Sequence, residues 1–183
     1  MDEFLLKRMQ ELLKHSQNGD IAKLKELGGF FAEKAYLRGE KRLVNLIIIS
    51  YAVAKFMEKH YVRSSKEWVK FYAWFQKQLQ AAIEEVRHDD ISEFYSIADS
   101  IVEEITRLSD ATGRFQSNVI QKARIKAGTQ IYAHGASLLT AANFSGADQA
   151  ELASYINVTK LPDKYGTLSV KQRMKMAEEI FGI

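Results

Sequence analysis

The chain of 183 residues has the length of one domain of ordinary size, and its hydrophobic content of 46% is sufficient for a buried core. Cysteine is absent, which excludes disulfides, thiolate zinc sites, iron–sulfur clusters and cysteine nucleophiles, and suits the reducing cytoplasm in which we expect the protein. The net charge of only +3 excludes no class of partner by itself.

The first residues mix charged and apolar side chains instead of forming the uninterrupted apolar stretch of a secretory signal. The most apolar segment, residues 43–54, is shorter than the roughly 20 residues that a membrane-spanning helix needs. We therefore expect neither export nor a membrane partner, and we interpret residues 43–54 as a central buried helix.

Helix-forming residues dominate the chain, and Pro162 is its single proline, so the sequence predicts an all-α protein. Asp20 is a candidate N-cap for the second helix, Gly28 and Gly29 are expected to bend or interrupt that helix, and Asp90 or Ser92 is expected to cap the fifth. The predicted helices of the N-terminal part span residues 2–16, 20–37, 40–61, 65–87 and 91–108.

Short connections between long helices predict antiparallel packing, either as a bundle of about five helices or as a helical-repeat stack. The fourth predicted helix carries a buried stripe at spacings of three and four, which is typical of an amphipathic helix. Its members are Trp68, Phe71, Tyr72, Phe75, Leu79, Ala82 and Val86. Trp74 lies beside this stripe, so it is either a flank of the core or an exposed aromatic at an interface.

Residues 109–113 are the best candidate boundary between a helical bundle, residues 1–110, and a C-terminal region, residues 111–183. The C-terminal region is expected to contain a long helix over residues 114–129, extending in one interpretation to Leu139, and then a helical hairpin. A loop from residue 156 and a short helix over residues 170–181, capped by Ser169, complete the prediction. This region either packs with the bundle as one domain or forms a separate unit.

The segment LLTAANFSGADQAELASYI, residues 138–156, has the outline of two helices joined by a glycine turn. Ala142 provides a small residue where the helices cross, and Gly146 provides the turn. Leu152 and Tyr155 provide apolar anchors on the second helix, while Asp148 followed by Glu151 forms a capping box. In this stretch the chain resembles the helix-turn-helix domains of transcription regulators and antitoxin-type proteins, which implies DNA binding. Ordinary turn chemistry between two packed helices explains the same residues.

Charge is the second reason to consider nucleic acid. Residues 1–110 contain 17 basic and 18 acidic side chains, a net −1, whereas residues 111–183 contain 9 basic and 5 acidic side chains, a net +4. The second helix of the hairpin has no lysine or arginine and offers only Gln149 and Ser154 for base contacts, so phosphate contacts must come from flanking cations. The candidate nucleic-acid-binding residues are Arg114, Lys122, Lys126, Gln149, Ser154, Lys160, Lys164 and Arg173.

Polar residues recur every four positions along the helix that precedes the hairpin, at Arg114, Asn118, Lys122, Lys126, Gln130 and His134. A spacing of four residues drifts by about 40° per step around a helix, so only three or four of them share a face. The row is therefore either part of a binding surface or the solvated side of an amphipathic helix.

Catalytic chemistry has little support in the sequence. The four histidines are scattered, and Glu85 with His88 has the Glu-x-x-His spacing of di-iron bundles without the second motif that those bundles require. Glycine-rich phosphate loops are absent as well. We therefore expect a non-enzymatic protein without a metal or cofactor, which acts by macromolecular binding. The first candidate partner is DNA or RNA, bound by the basic C-terminal third. The alternative is a protein, including a second copy in a homodimer, bound by a helical scaffold.

Overall fold

The structure is a computed structural model, and it describes residues 2–112 and 119–159. Every regular element in these residues is helical, which confirms the all-α class. The helices are α1 (Glu3–Asn18), α2 (Ile21–Arg38), α3 (Val44–Glu58), α4 (His60–Arg63), α5 (Lys66–Arg87), α6 (Ile91–Ala111), α7 (Val119–Ala133), α8 (Leu138–Ser145) and α9 (Gln149–Thr159), with a 3-10 turn over Lys41–Leu43 before α3.

Side-chain caps fix where several helices begin. Asp20 accepts a hydrogen bond from the backbone N–H of Lys23 at 3.0 Å, and Asp90 accepts one from Glu93 at 3.0 Å, so Asp90 and not Ser92 caps α6. Ser65 caps α5 in the same way, through the N–H of Trp68 at 3.1 Å. Each cap satisfies a donor that the first helical turn leaves without an intrahelical partner.

One predicted helix is shorter than expected, and another ends between its two predicted limits, Thr129 and Leu139. The third was predicted over residues 40–61, but the backbone leaves the helical region at Lys59, which separates α3 from α4. The helix before the hairpin ends at Ala133 and does not reach Leu139, because Gly135 has φ +98° and Ser137 caps α8. By contrast, α2 runs without interruption through Gly28 and Gly29.

Helix α3 is at the centre of the fold, in contact with α1, α2, α6 and α7. Ten of its 15 residues are buried, including Leu46, Ile47 and Ile49, which confirms that the most apolar segment of the chain is an interior helix. In the described residues, no helix combines the length and apolar character needed to cross a bilayer.

The buried stripe of α5 is confirmed: all of its predicted members are buried except Tyr72, which is half-buried and donates a hydrogen bond to the carbonyl oxygen of Ser16 at 2.6 Å. Trp74 is also half-buried and packs against the core, with its ring centroid 6.2 Å from that of Phe71. Trp74 is therefore a flank of the core.

Helix α7 packs against both α2 and α3, and α8 and α9 in turn pack against α7. The C-terminal hairpin is thus connected to the bundle through α7. This arrangement places one side of α9 beside the exposed edge of α3.

Candidate functional site

The structure describes half of the predicted nucleic-acid-binding residues. Lys122 and Lys126 are on α7, and Gln149 and Ser154 are on α9. The other four, Arg114, Lys160, Lys164 and Arg173, lie outside the described residues, as do the predicted loop beyond Thr159 and the final helix.

Three of these residues meet at one groove, which has a volume of about 500 Å³ and lies between α3, α7 and α9. We call it the α9 groove. Its lining residues share the spacings of three and four that place side chains on one helix face. They are Tyr51 from α3, Lys122, Ile125 and Lys126 from α7, and Glu151, Ser154, Tyr155 and Val158 from α9. Gln149 is exposed in the first turn of α9 and is not among them.

A close approach at Gly128 positions α9 against α7. A Cβ at this glycine would be 2.8 Å from Oγ of Ser145 on α8 and 2.9 Å from Cδ2 of Leu152 on α9, which is inside van der Waals contact. Ser145 and Leu152 are themselves almost fully buried. The helices of the hairpin can approach α7 this closely because position 128 has no side chain.

The turn of the hairpin has the geometry that the sequence predicts. Gly146 adopts φ +68°, and its N–H donates to the carbonyl of Ala142 at 2.9 Å. Asp148 accepts a hydrogen bond from the N–H of Glu151 at 2.9 Å, as expected for one half of a capping box. The carboxylate of Glu151 accepts a hydrogen bond from the side-chain amide of Gln121 on α7 at 2.9 Å, so it ties α9 to α7.

Aromatic and cationic groups are close together in the α9 groove. The ammonium of Lys126 is 5.2 Å from the ring centroid of Tyr155, within the range of a cation–π interaction. Lys122 is exposed, and Tyr51 is half-buried at the edge of α3. Burial raises the pKa of the Tyr51 hydroxyl, although Lys55 opposes that rise, so Tyr51 stays a neutral hydrogen-bonding group at physiological pH.

Exposed apolar surface borders the same groove. The side chain of Val158 is 80% exposed, the largest exposure among the described large hydrophobic residues. Ile125 and Tyr155 are partly buried beneath it. The groove therefore combines an apolar floor and edge with two lysines.

The polar row on α7 does not form one surface. Lys122 and Lys126 line the α9 groove, whereas the side-chain oxygen of Gln130 lies 3.7 Å from where a Cβ on Gly29 of α2 would be. That oxygen is buried without a hydrogen-bond partner. The row thus turns from the groove into the interface between α7 and α2, as a spacing of four residues requires.

Tyr51 and Val158 were not predicted from the sequence as site residues. Tyr51 belongs to the helix that the sequence marks as interior, and it reaches α9 only through the packing of α7 on α3. Val158 is on a part of α9 that was predicted to be a loop. Had α9 been extended past Ile156, the spacing from Ser154 and Tyr155 would have placed Val158 on their face.

The candidate di-iron pair is at the end of α5, where His88 is exposed and Glu85 is half-buried. Among the described residues, no group of three or more histidines and carboxylates is arranged to hold a metal ion. The pair lies away from the α9 groove.

Comparison of the chain with protein-family models, with curated proteins and with solved structures finds no match.

Proposed function

We propose that this protein is a protein-interaction module that binds an acidic segment of a partner, with an apolar anchor side chain, in the α9 groove. The observation that carries the proposal is the exposed Val158 beside Tyr155, with Lys122 and Lys126 lining the same groove. Tyrosine and apolar residues at the centre of a patch, with charge around it, are typical of protein interfaces. Lys122 and Lys126 outnumber Glu151 among the lining residues, so the groove favours a negatively charged partner.

The composition of α9 argues against the reading of duplex DNA by this helix. Glu151 is the single charged residue between Gln149 and Thr159, so α9 would bring a negative charge and no cation to the phosphates. Among the described residues, the cations near the hairpin that could contact phosphate are Lys122, Arg124 and Lys126 of α7.

The test is selection from a random peptide library displayed on phage. The unchanged protein should enrich peptides in which a large apolar residue is flanked by aspartate and glutamate. Val158→Asp should abolish this enrichment, because it adds a negative charge where both the anchor and the acidic flanks would bind. Val69→Asp is the matched control, since Val69 is 62% exposed on α5, outside the groove, and should leave the selection unchanged.

A labelled DNA duplex tests the alternative in parallel. If the duplex binds with an affinity that falls steeply with salt, and if Lys122→Gln with Lys126→Gln flattens that dependence, the protein binds nucleic acid and the proposal is wrong. Peptide enrichment that survives Val158→Asp would also overturn it, because the peptides would then be binding elsewhere.

A further inference from the structure

A second groove lies where the end of α1, the turn into α2 and the first half of α5 meet, and we call it the α5 groove. Its volume is about 560 Å³, within the range of small-molecule sites. Apolar and aromatic side chains that are buried or partly buried form its floor. They are Ile21, Met57, Trp68 and Tyr72. Val69 also lines the groove and is 62% exposed, so apolar surface continues to its edge.

The aromatic side of the α5 groove is held in place by the protein itself. The rings of Trp68 and Tyr72 are stacked, with their centroids 5.2 Å apart. The hydroxyl of Tyr72 donates a hydrogen bond to the carbonyl oxygen of Ser16 at 2.6 Å, which fixes the orientation of its ring. A groove whose walls are already ordered loses little conformational freedom when a ligand binds.

One cation lines this groove without an opposing carboxylate. Among the described lining residues, Arg63 is the single lysine, arginine, aspartate or glutamate. Its side chain is exposed and has no hydrogen bond, ion pair or ring contact within the part of the chain that the structure describes. Several other arginines are each paired with a carboxylate, namely Arg8, Arg38, Arg87 and Arg107. The guanidinium of Arg63 is therefore available to a carboxylate from outside the protein, which it can bind through two parallel hydrogen bonds.

The break between α3 and α4 places Arg63 at the groove. The backbone leaves the helical region at Lys59, with φ −100° and ψ 107°, and α4 then packs against both α3 and α5. Val62 is fully buried and anchors this short helix, so the neighbouring Arg63 is held where the end of α4 meets the groove. The break thus brings a cation beside an apolar floor.

We infer that the α5 groove binds a small amphiphile with one carboxylate, of the fatty-acid class. The carboxylate of the ligand pairs with Arg63, and its hydrocarbon chain packs against Trp68 and Val69. Burial of the chain stabilises the complex in proportion to the apolar area removed from water, and the charge-assisted hydrogen bonds of Arg63 select the anionic head group. The inference is independent of the proposed function, since none of these residues lines the α9 groove.

The fluorescence of Trp68 tests the ligand class directly. With Trp74→Phe, Trp68 is the single tryptophan of the chain, and octanoate should change its emission in a saturable way. The matched compounds are 1-octanol and octylamine, which replace the carboxylate by a neutral or a positive group, and butyrate, which keeps the carboxylate on a shorter chain. Each should bind about tenfold or more weakly than octanoate. If 1-octanol or octylamine binds as well as octanoate, or if octanoate does not bind at millimolar concentration, the inference is wrong.

Variants separate the charge of the groove from its apolar surface. Arg63→Gln should weaken octanoate binding about tenfold and leave 1-octanol binding and the melting temperature unchanged, because only the exposed charge is lost. Lys66→Gln is the matched control, since Lys66 is an exposed cation of α5 that does not line the groove. Val69→Asp should also weaken octanoate binding, because it adds a negative charge at the groove, while peptide selection at the α9 groove stays unchanged. Equal affinity for octanoate in Arg63→Gln and the unchanged protein would overturn the inference.

Discussion

The bundle and the C-terminal hairpin differ in the size of the side chains that pack inside them. The largest fully buried side chains, among them Phe31, Phe56, Phe75 and Phe94, all belong to α1–α6 and the 3-10 turn before α3. The interface between α7, α8 and α9 is instead rich in small residues. These are Ala123, Ala127, Gly128, Ala141, Ala142 and Ser145, with Leu152 as the buried anchor from α9.

This difference predicts opposite sensitivities to side-chain volume. A core filled by large side chains loses stability when volume is removed, because transfer free energy is lost and a cavity remains. A close helix crossing loses stability when volume is added, because the backbones must separate or side chains must leave their rotamers.

The largest effect is expected from Phe71→Ala. Phe71 is 4% exposed and lies against Phe56 and Phe75, so the substitution should lower the free energy of unfolding by about 3 to 5 kcal/mol. Denaturant melts followed by circular dichroism measure the loss. A change below about 1 kcal/mol would mean that the bundle core collapses around the missing ring and is less tightly packed than the structure indicates.

Gly128→Ala adds side-chain volume where Phe71→Ala removes it, and it should have the next largest effect on the free energy of unfolding. The added Cβ would meet Ser145 and Leu152 below 3.0 Å, so we expect a loss of about 1 to 3 kcal/mol with faster hydrogen exchange in residues 119–159. Gly29→Ala is the matched control, since a Cβ there would have only ordinary contacts at 3.7 Å or more. That control should stabilise α2 by about 0.5 to 1 kcal/mol, because alanine is the better helix former.

Gly146→Val tests the turn of the hairpin. The nearest atom to a Cβ at this position is Nε of Arg124 at 3.7 Å, so the penalty comes from the positive φ and not from a clash. We expect Gly146→Val to lower the free energy of unfolding by about 1 to 2 kcal/mol. Gly146→Asn should lower it less, because asparagine tolerates the left-handed region. Protection from amide hydrogen exchange should be lost in residues 138–156 before it is lost in the bundle. Unchanged protection in residues 138–156 would contradict the turn geometry at Gly146.

Acid should weaken the bundle through the ion pairs that Glu58 on α3 forms with Lys25 on α2 and with Lys55. Partial desolvation by itself raises the pKa of the exposed Glu58 carboxyl, but hydrogen bonds from Lys25 and from Lys55, the latter at 2.8 Å, lower that pKa below its ordinary value. Because the folded state binds this proton less readily, the contribution is present above the ordinary carboxyl range of about pH 4 and is lost as pH falls below it.

The loss of these ion pairs should have the smallest effect of the changes considered, since exposed ion pairs contribute little to the free energy of unfolding. Glu58→Gln should be slightly less stable than the unchanged protein at pH 7 and equally stable at about pH 2, where both are uncharged at this position. A constant difference between the two proteins at both pH values would show that the effect is packing and not charge.

Local signals in the sequence were sufficient for most of the bundle. Asp20 and Asp90 mark helix starts through their own side chains, and the stripe from Trp68 to Val86 follows from helical periodicity alone. The turn at Gly146 is predictable for the same reason, since the residues that form it are neighbours in the chain.

Features that depend on distant residues were not predictable. The break at Lys59 has no nearby glycine or proline to mark it, and the meeting of Tyr51 with Tyr155 depends on how α7 packs against α3. Gly128 did carry a signal, because glycine in a helix interior is unfavourable unless packing requires it. Its partners, Ser145 and Leu152, are identified only by the folded arrangement.

Both tryptophans of the chain, Trp68 and Trp74, are on α5, which packs against α1, α4 and α6. Intrinsic tryptophan fluorescence should therefore report the integrity of the bundle and remain unchanged if α7–α9 open first. Circular dichroism records the loss of helix in both regions. Transitions that fail to coincide between the two signals would be the spectroscopic signature of stepwise unfolding, in which case a single free energy of unfolding does not describe the protein.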